Sequence, residues 1–135
     1  MKKIVFISCV KSKKSIPCAA IDFYVSPWFK KARDYAKSLY PDKIYILSAK
    51  YGLVDSKHII SPYDETLNNM KSEQRKIWAE KVLAQIKNAG INFDDNVIFL
   101  AGQKYRENLI RNFINVEIPL RGLGIGKQLQ VMAKR

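Results

Sequence analysis

Histidine occurs once, cysteine twice and proline five times in 135 residues, and 12 acidic residues face 24 lysines and arginines. Each shortage closes off a class of function. Cys9 and Cys18, with a single distant imidazole at His58, cannot assemble a tetrahedral metal site, so no metal is expected. Without a secretion signal, two thiols this close in sequence read as reduced cysteines of a cytoplasmic protein, not as a disulfide framework. No apolar run approaches the ~20 residues that span a bilayer, and no membrane partner is expected. The opening MKKIVFISCV carries two lysines before an apolar stretch. That stretch is too short for a signal peptide, and Lys11, Lys13 and Lys14 follow it, so it reads as a first strand. Internal repeats, low-complexity segments and linkers are also missing, which leaves a single domain over 1–135.

What is present is positive charge and enough apolar material for a core. Hydrophobic residues make up 47% and charged ones 27%, a balance that excludes a disordered tail. The net charge of +12 draws polyanions toward the surface and points to nucleic acid. The plainer alternative is a lysine-rich surface that serves solubility.

Apolar runs mark the elements. Lys3–Cys9, Lys43–Ser48 and Val97–Ala101 are continuously apolar, as suits strands covered on both faces, and Val116–Ile118 is a shorter fourth. Between them the period changes to that of a helix. Trp28, Phe29, Ala32, Tyr35, Ala36 and Leu39 form one stripe over Pro27–Leu39, with Ser26 as N-cap. A second helix is expected over Ser72–Ala89, capped by Ser72, a third over Gln103–Phe113 and a last one from about Gly124. The alternation predicts an α/β fold, a three-layer α/β/α sandwich around a four-stranded parallel sheet in the order 2-1-3-4.

In such sheets ligands bind beyond the carboxyl ends of the strands. Two long loops, 10–22 and 49–71, leave that edge, and loops of this length are usually functional or mobile. The second is rich in aromatic and ionisable residues. Its Asp64 either acts as a general base or braces the loop through backbone N–H groups. Tyr51 and Tyr63 either stack on a base or pack the loop. Cys9 is either a nucleophile or a small buried hydrophobe. Lys11, Lys13 and Lys14 either hold phosphate or are solvated, with Lys11 nearest the strand end. Arg121 follows the last strand, and Gly102 and Tyr105 the third. Lys30, Arg33 and Lys37 share a helix face that reads as solvated. The stretch GLGIG (122–126) lacks the context of a dinucleotide fingerprint and reads as a turn before the last helix.

These segments together carry a resemblance. SCVKSKK (8–14), Pro17 and Ala19, FYVSPWFKKARDYA (23–36), YILSAKYGLVD (45–55), PYDETL (62–67), AGQKY (101–105) and PLRGLGIGKQL (119–129) resemble the small YaaA-like domains of bacteria and phages. That group takes its name from a peroxide-stress protein to which the likeness is more distant. The resemblance implies a uracil-DNA-glycosylase-like fold with a nucleobase or nucleotide pocket at the strand ends. By the same likeness Cys9, Lys11, Pro17, Tyr24, Ser26, Ser48, Tyr51, Gly52, Pro62, Tyr63 and Asp64 occupy motif positions. The chain departs from uracil-DNA glycosylases in having neither their water-activating motif after the first strand nor their late histidine motif.

Charge, loops and resemblance together lead to the expectation of a DNA-binding, base-acting enzyme, an N-glycosidase without a cofactor. Asp64, Tyr51 and Ser48 are its expected catalytic group. Cys9, Lys11, Lys13, Tyr24, Ser26, Lys50, Gly52, Tyr63 and Arg121 are expected to bind DNA, RNA or a free nucleotide. Two alternatives stand beside it: a non-catalytic nucleic-acid or nucleotide-binding module, and a small-nucleotide hydrolase or transferase.

Overall fold

Apolar runs too continuous to present a wet face can be satisfied only inside a sheet covered on both sides. The computed structural model, which describes residues 1–133, places them there. In chain order the strands are β1 (Lys3–Ser8), β2 (Cys18–Ala19), β3 (Lys43–Ser48), β4 (Gly52–Asp55), β5 (Ile59–Ile60), β6 (Asn96–Leu100) and β7 (Asn115–Glu117). The helices are α1 (Ala20–Phe23), α2 (Pro27–Ser38), α3 (Ser72–Asn88), α4 (Gln103–Arg106) and α5 (Ile125–Ala133), with single 3₁₀ turns at Leu67–Asn69 and Ile110–Asn112. Lys134 and Arg135, the end of the expected domain, lie outside the described residues. No described helix is long and apolar enough to cross a membrane.

The main sheet has five strands in the order β4-β3-β1-β6-β7. Four are parallel, and β4 runs antiparallel to β3 at the edge. The expected four-stranded, all-parallel sheet is therefore corrected by one added edge strand, and its order by one added position. β4 was hidden because GLVD opens on a glycine and reads as a turn, yet its alternate residues, Gly52 and Val54, face inward. Consecutive residues Ile4–Ser8 of β1 are all buried, so both faces of the centre are covered. The path from β1 through α2 to β3 moves one way along the sheet, and that through α3 to β6 moves the other. Right-handed crossovers then set α2 and α3 on opposite faces. α2 packs on β1 and α5, and α3 on β4.

Three other expectations change. The helix over Gln103–Phe113 stops at Arg106. The Asn112 amide bonds the carbonyls of Asn108 and Leu109, a side-chain competitor that tightens the chain into a 3₁₀ turn. Ser72 is the first helical residue of α3, not its cap; the Lys71 N–H at the cap position is held by Gln74 Oε1 at 3.0 Å. The two long loops are also not structureless. β2 in the first pairs antiparallel with β5 in the second, which clips them together.

Gly52 shows how α3 shapes the β3–β4 turn. Its φ is +78°, and a Cβ there would lie 2.2 Å from Gln85 Oε1. Gln85 cannot swing aside freely, because it accepts from Leu53 N at 2.8 Å and donates to the Tyr51 carbonyl at 3.0 Å. Gly52→Ala is expected to combine left-handed strain with loss of these bonds and to cost about 1–3 kcal/mol. Urea denaturation of the variant checks this; a midpoint equal to wild type would contradict the close approach.

Candidate functional site

The carboxyl ends of β1, β3 and β6 leave polar groups that must be satisfied away from water, and the loops do it with hydroxyls. Ser48, fully buried at the end of β3, accepts the Tyr51 N–H at 3.0 Å and the Lys50 N–H at 3.3 Å. Its carbonyl accepts Trp78 Nε1 from α3 at 2.9 Å. The Tyr24 and Tyr63 hydroxyls meet at 2.5 Å, and the Ser48 hydroxyl hydrogen-bonds toward both. Tyr63 stacks on Phe23, and the Tyr51 ring meets it edge-on at 5.5 Å. Burial pushes the phenols of Tyr24, Tyr63 and Tyr105 above the usual tyrosine range, and the neighbouring Cys9 adds to the rise.

Above this floor lies a cleft with two communicating lobes. The polar lobe, about 490 Å³, is lined by Lys11, Lys13, Asp64, Glu65, Thr66 and Asn69, among others. The second, about 610 Å³, is more apolar and is walled by Trp28, Ile125, Gln103, Lys104, Gln128 and Ser26, among others. Cys9, Val10, Lys11, Asn68 and Tyr105 line both lobes and mark their junction. Tyr105 is the hinge of the junction. Its hydroxyl takes the Cys9 thiol at 3.3 Å and the Leu67 N–H at 3.3 Å, and sits 3.5 Å from Thr66 Oγ1. Arg75 of α3 ties the next stretch down, bonding the Met70 carbonyl at 2.7 Å and Glu107 at 3.0 Å.

The expected site residues separate into groups. Cys9, Lys11, Lys13 and Asp64 meet in the polar lobe. Lys13 is partly held, with Nζ 4.8 Å from the Tyr63 ring centre and bonded to the Lys11 carbonyl. Asp64 is exposed and has no hydrogen-bond or ion-pair partner among the described residues. Ser26 borders the apolar lobe, but its hydroxyl caps α2 by accepting the Phe29 N–H at 3.0 Å.

The others stand elsewhere. Tyr24 and Tyr63 are buried at 1% and 7% exposure, and neither lines a lobe. The same holds for Ser48, whose hydroxyl is used by the turn that follows it. These three form the floor of the site; their polar atoms are committed to one another. Tyr51 borders a separate groove with His58 and Gln85, and its hydroxyl bonds the Ser61 carbonyl at 3.2 Å. Lys50 lies with its Nζ 5.4 Å from the Tyr51 ring, and Gly52 serves the turn. Arg121 borders a shallow groove with Ile110 and Phe113, close enough to Arg106 to disfavour the latter's charge, which burial already does.

Sequence reasoning named Tyr105 only as a rim residue and missed Thr66, Asn68, Asn69, Gln103 and Gln128. Trp28 was assigned to the core stripe of its helix. The signal for most of them was positional, since they directly follow the PYD motif or the end of β6. Among the described residues no cluster of His, Cys, Asp and Glu could hold a metal ion.

A family model described as "Family of unknown function (DUF6884)" matches residues 4–134. The chain is also 31% identical over 143 residues to the uncharacterized protein YfjM of Bacillus subtilis (strain 168), a likeness covering 98% of this chain and 93% of that protein. Both likenesses run from β1 through α5 and so include both lobes.

The buried phenols carry a pH dependence. Their folded-state pKa values stand above the unfolded value, so the stability they contribute is complete below about pH 10 and declines as pH rises beyond it. In a spectrophotometric titration, Tyr24, Tyr63 and Tyr105 are expected to stay protonated until the chain unfolds in alkali. Ionisation of all seven tyrosines in one reversible step near the usual value would overturn the buried hydroxyl floor.

Proposed function

We propose that this chain, which belongs to the DUF6884 family, binds nucleic acid across the two-lobed cleft and acts there as an N-glycosidase on a modified or damaged base. The reading takes the fold as a three-layer, uracil-DNA-glycosylase-like sandwich and the family as kin to the YaaA-like domains. One observation carries it: an unpaired carboxylate, Asp64, shares a cleft at the carboxyl edge of the sheet with Lys11 and Lys13. A carboxylate left free among cations suits a reaction in which positive charge develops on a sugar. Lysines beside it suit a polyanionic backbone.

The reaction is a hydrolysis. The bond from C1′ to the base nitrogen breaks, and its electron pair leaves with the base. A water oxygen forms the new bond to C1′, and the water's proton ends on the departing base. Asp64 stabilises the oxocarbenium-like sugar and orients the water. Lys11 and Lys13 hold flanking phosphates as point charges. The target nucleotide is flipped out of its stack, at a cost of a few kcal/mol, so that the glycosidic bond reaches the cleft. Glu65 lines the same lobe and is available as a second acid–base group.

Asp64→Asn separates chemistry from binding. Base release is expected to fall by about two orders of magnitude or more. Affinity for DNA is expected to hold or rise, because a negative charge leaves a site for phosphate. The assay is incubation with genomic DNAs, including hypermodified phage DNA, followed by mass spectrometry for free bases and alkaline cleavage at abasic sites. If wild-type protein releases no base from any of them yet binds DNA in a salt-sensitive way, the chain is a binding module and the glycosidase reading is wrong.

A second test concerns the lysines. Log affinity plotted against log salt is expected to lose roughly 0.7–0.9 of slope for each phosphate contact removed by Lys11→Gln or Lys13→Gln. Free nucleotides that bind tightly, beside DNA that binds weakly with a flat salt response, would favour a small-nucleotide enzyme instead.

A further inference from the structure

The polar lobe alone does not account for the cleft. It holds charged groups, small amides and hydroxyls, but its one aromatic side chain, Tyr105, is buried at 6% exposure with its hydroxyl engaged. The tyrosines that the sequence offered as stacking partners are in the floor or in another groove. The apolar lobe has what the polar lobe lacks. Trp28, half-buried at the first turn of α2, lines it, and Ile125, 63% exposed at the start of α5, stands in the same wall.

The indole is fixed in place. Trp28 Nε1 donates to Gln128 Oε1 at 2.7 Å, and Gln128 Nε2 donates to the Leu123 carbonyl at 2.8 Å. This chain holds the ring against α5 and leaves its hydrogen-bonding edge satisfied, so the ring offers a ligand its apolar surface. By contrast the side-chain amides of Asn68 and Gln103, which line the same lobe, have no hydrogen-bond partner among the described residues. A free carboxamide presents a donor and an acceptor side by side, the pattern that matches a base edge. Lys11 lines both lobes and Lys104 stands at the apolar one, so cationic side chains border the lobe where a backbone would pass.

We infer that the Trp28 lobe is the nucleobase subsite: the base lies against the indole, the Asn68 and Gln103 amides read its edge, and the sugar sits at the junction beside Asp64's lobe. The assignment rests on the nucleic-acid reading above and adds to it the place of the base. It also explains why the cleft is divided. A flipped nucleotide has an apolar flat part and a charged part, and each finds its own lobe.

The test compares a short single-stranded oligodeoxynucleotide with a backbone of equal length made wholly of abasic units. Wild-type protein is expected to bind the base-bearing strand more tightly, with a change in tryptophan fluorescence. In Trp28→Phe, which keeps a ring, the base-dependent affinity is expected to persist within a few-fold while the fluorescence change disappears. Trp78 then reports no binding, since it is buried at 6% exposure and bonded to Ser48. Trp28→Ala is expected to weaken the base-bearing strand about five- to hundred-fold, the range of one lost base–aromatic stack, and to leave the abasic strand unchanged. Ile125→Gln, at an exposed position outside the core, is expected to act in the same direction and guards against misfolding of Trp28→Ala. Equal loss for both strands, or base-bearing and abasic strands bound alike by wild type without a fluorescence change, would overturn the subsite while leaving a phosphate grip by Lys11 and Lys13 intact. If neither strand binds but free nucleosides change Trp28 fluorescence, the nucleic-acid reading fails and the subsite stands.

Discussion

Three hydroxyls, those of Ser48, Tyr24 and Tyr63, meet in a place that water cannot reach, and the cleft depends on their being satisfied there. A buried polar group without a partner costs on the order of 1–3 kcal/mol, so the arrangement is stable only when all three segments are present. Tyr24 comes from the stretch after α1, Ser48 from the end of β3 and Tyr63 from the loop before α3. Each brings its flanking residues with it. Lys13 is paired to Tyr24 across an isolated bridge, and Asp64 is the next residue after Tyr63. The presence of Lys13 and Asp64 in one lobe is thus set by a contact that neither makes. The same low dielectric that makes an unpaired hydroxyl costly strengthens the paired ones.

The other constraint runs through α3. Trp78 and Gln85, seven residues apart and so nearly two turns along one face, bond the last carbonyl of β3 and the turn that follows it. Gln85 completes the hydrogen bonding of a turn that the β3–β4 hairpin leaves open, and Gly52 is required because the amide comes so close. Arg75, one turn before Trp78, reaches Met70 and Glu107 and fixes the stretch beneath the polar lobe. One helix thereby anchors the turn after β3, the end of the second long loop and α4.

Three of the four parallel strands were legible because KIVFIS, KIYILS and NVIFL have no alternation, and only a doubly covered sheet tolerates that; the short β7 was legible from its place after the third helix. The position of the candidate cleft follows from the topology, which points to the carboxyl edge of the parallel strands. The role of the aromatic residues in the second long loop stays open in the sequence, where Tyr51 and Tyr63 fit either a platform for a base or packing of the loop. A loop that folds over the end of a sheet needs its own small core, and Tyr63 supplies it. Trp28 does pack against the core as its place in the apolar stripe implies, and at the first turn of α2 it also borders the apolar lobe, which the stripe alone does not show. Asn68 and Gln103 carry no pattern, and only the pairing of loops that brings them to one lobe distinguishes them from other surface amides. β4 and β5 escaped notice because short strands bounded by glycine, serine and histidine are decided by their partners, not by their own propensity.

The margins of the sheet are short. β4 offers four residues and β7 three, and the continuously apolar strands β1, β3 and β6 are all enclosed between them. A central run such as Ile4–Ile7 is the kind of segment that assembles into fibrils when an open edge lets chains add to one another. Here the exposed rows of N–H and C=O groups are too brief to template a neighbour, and Lys43, Asp55 and Glu117 place charge along or beside them. The hairpin that carries Gly52 therefore has a second effect: by capping β3, it replaces a six-residue open backbone edge with a four-residue one.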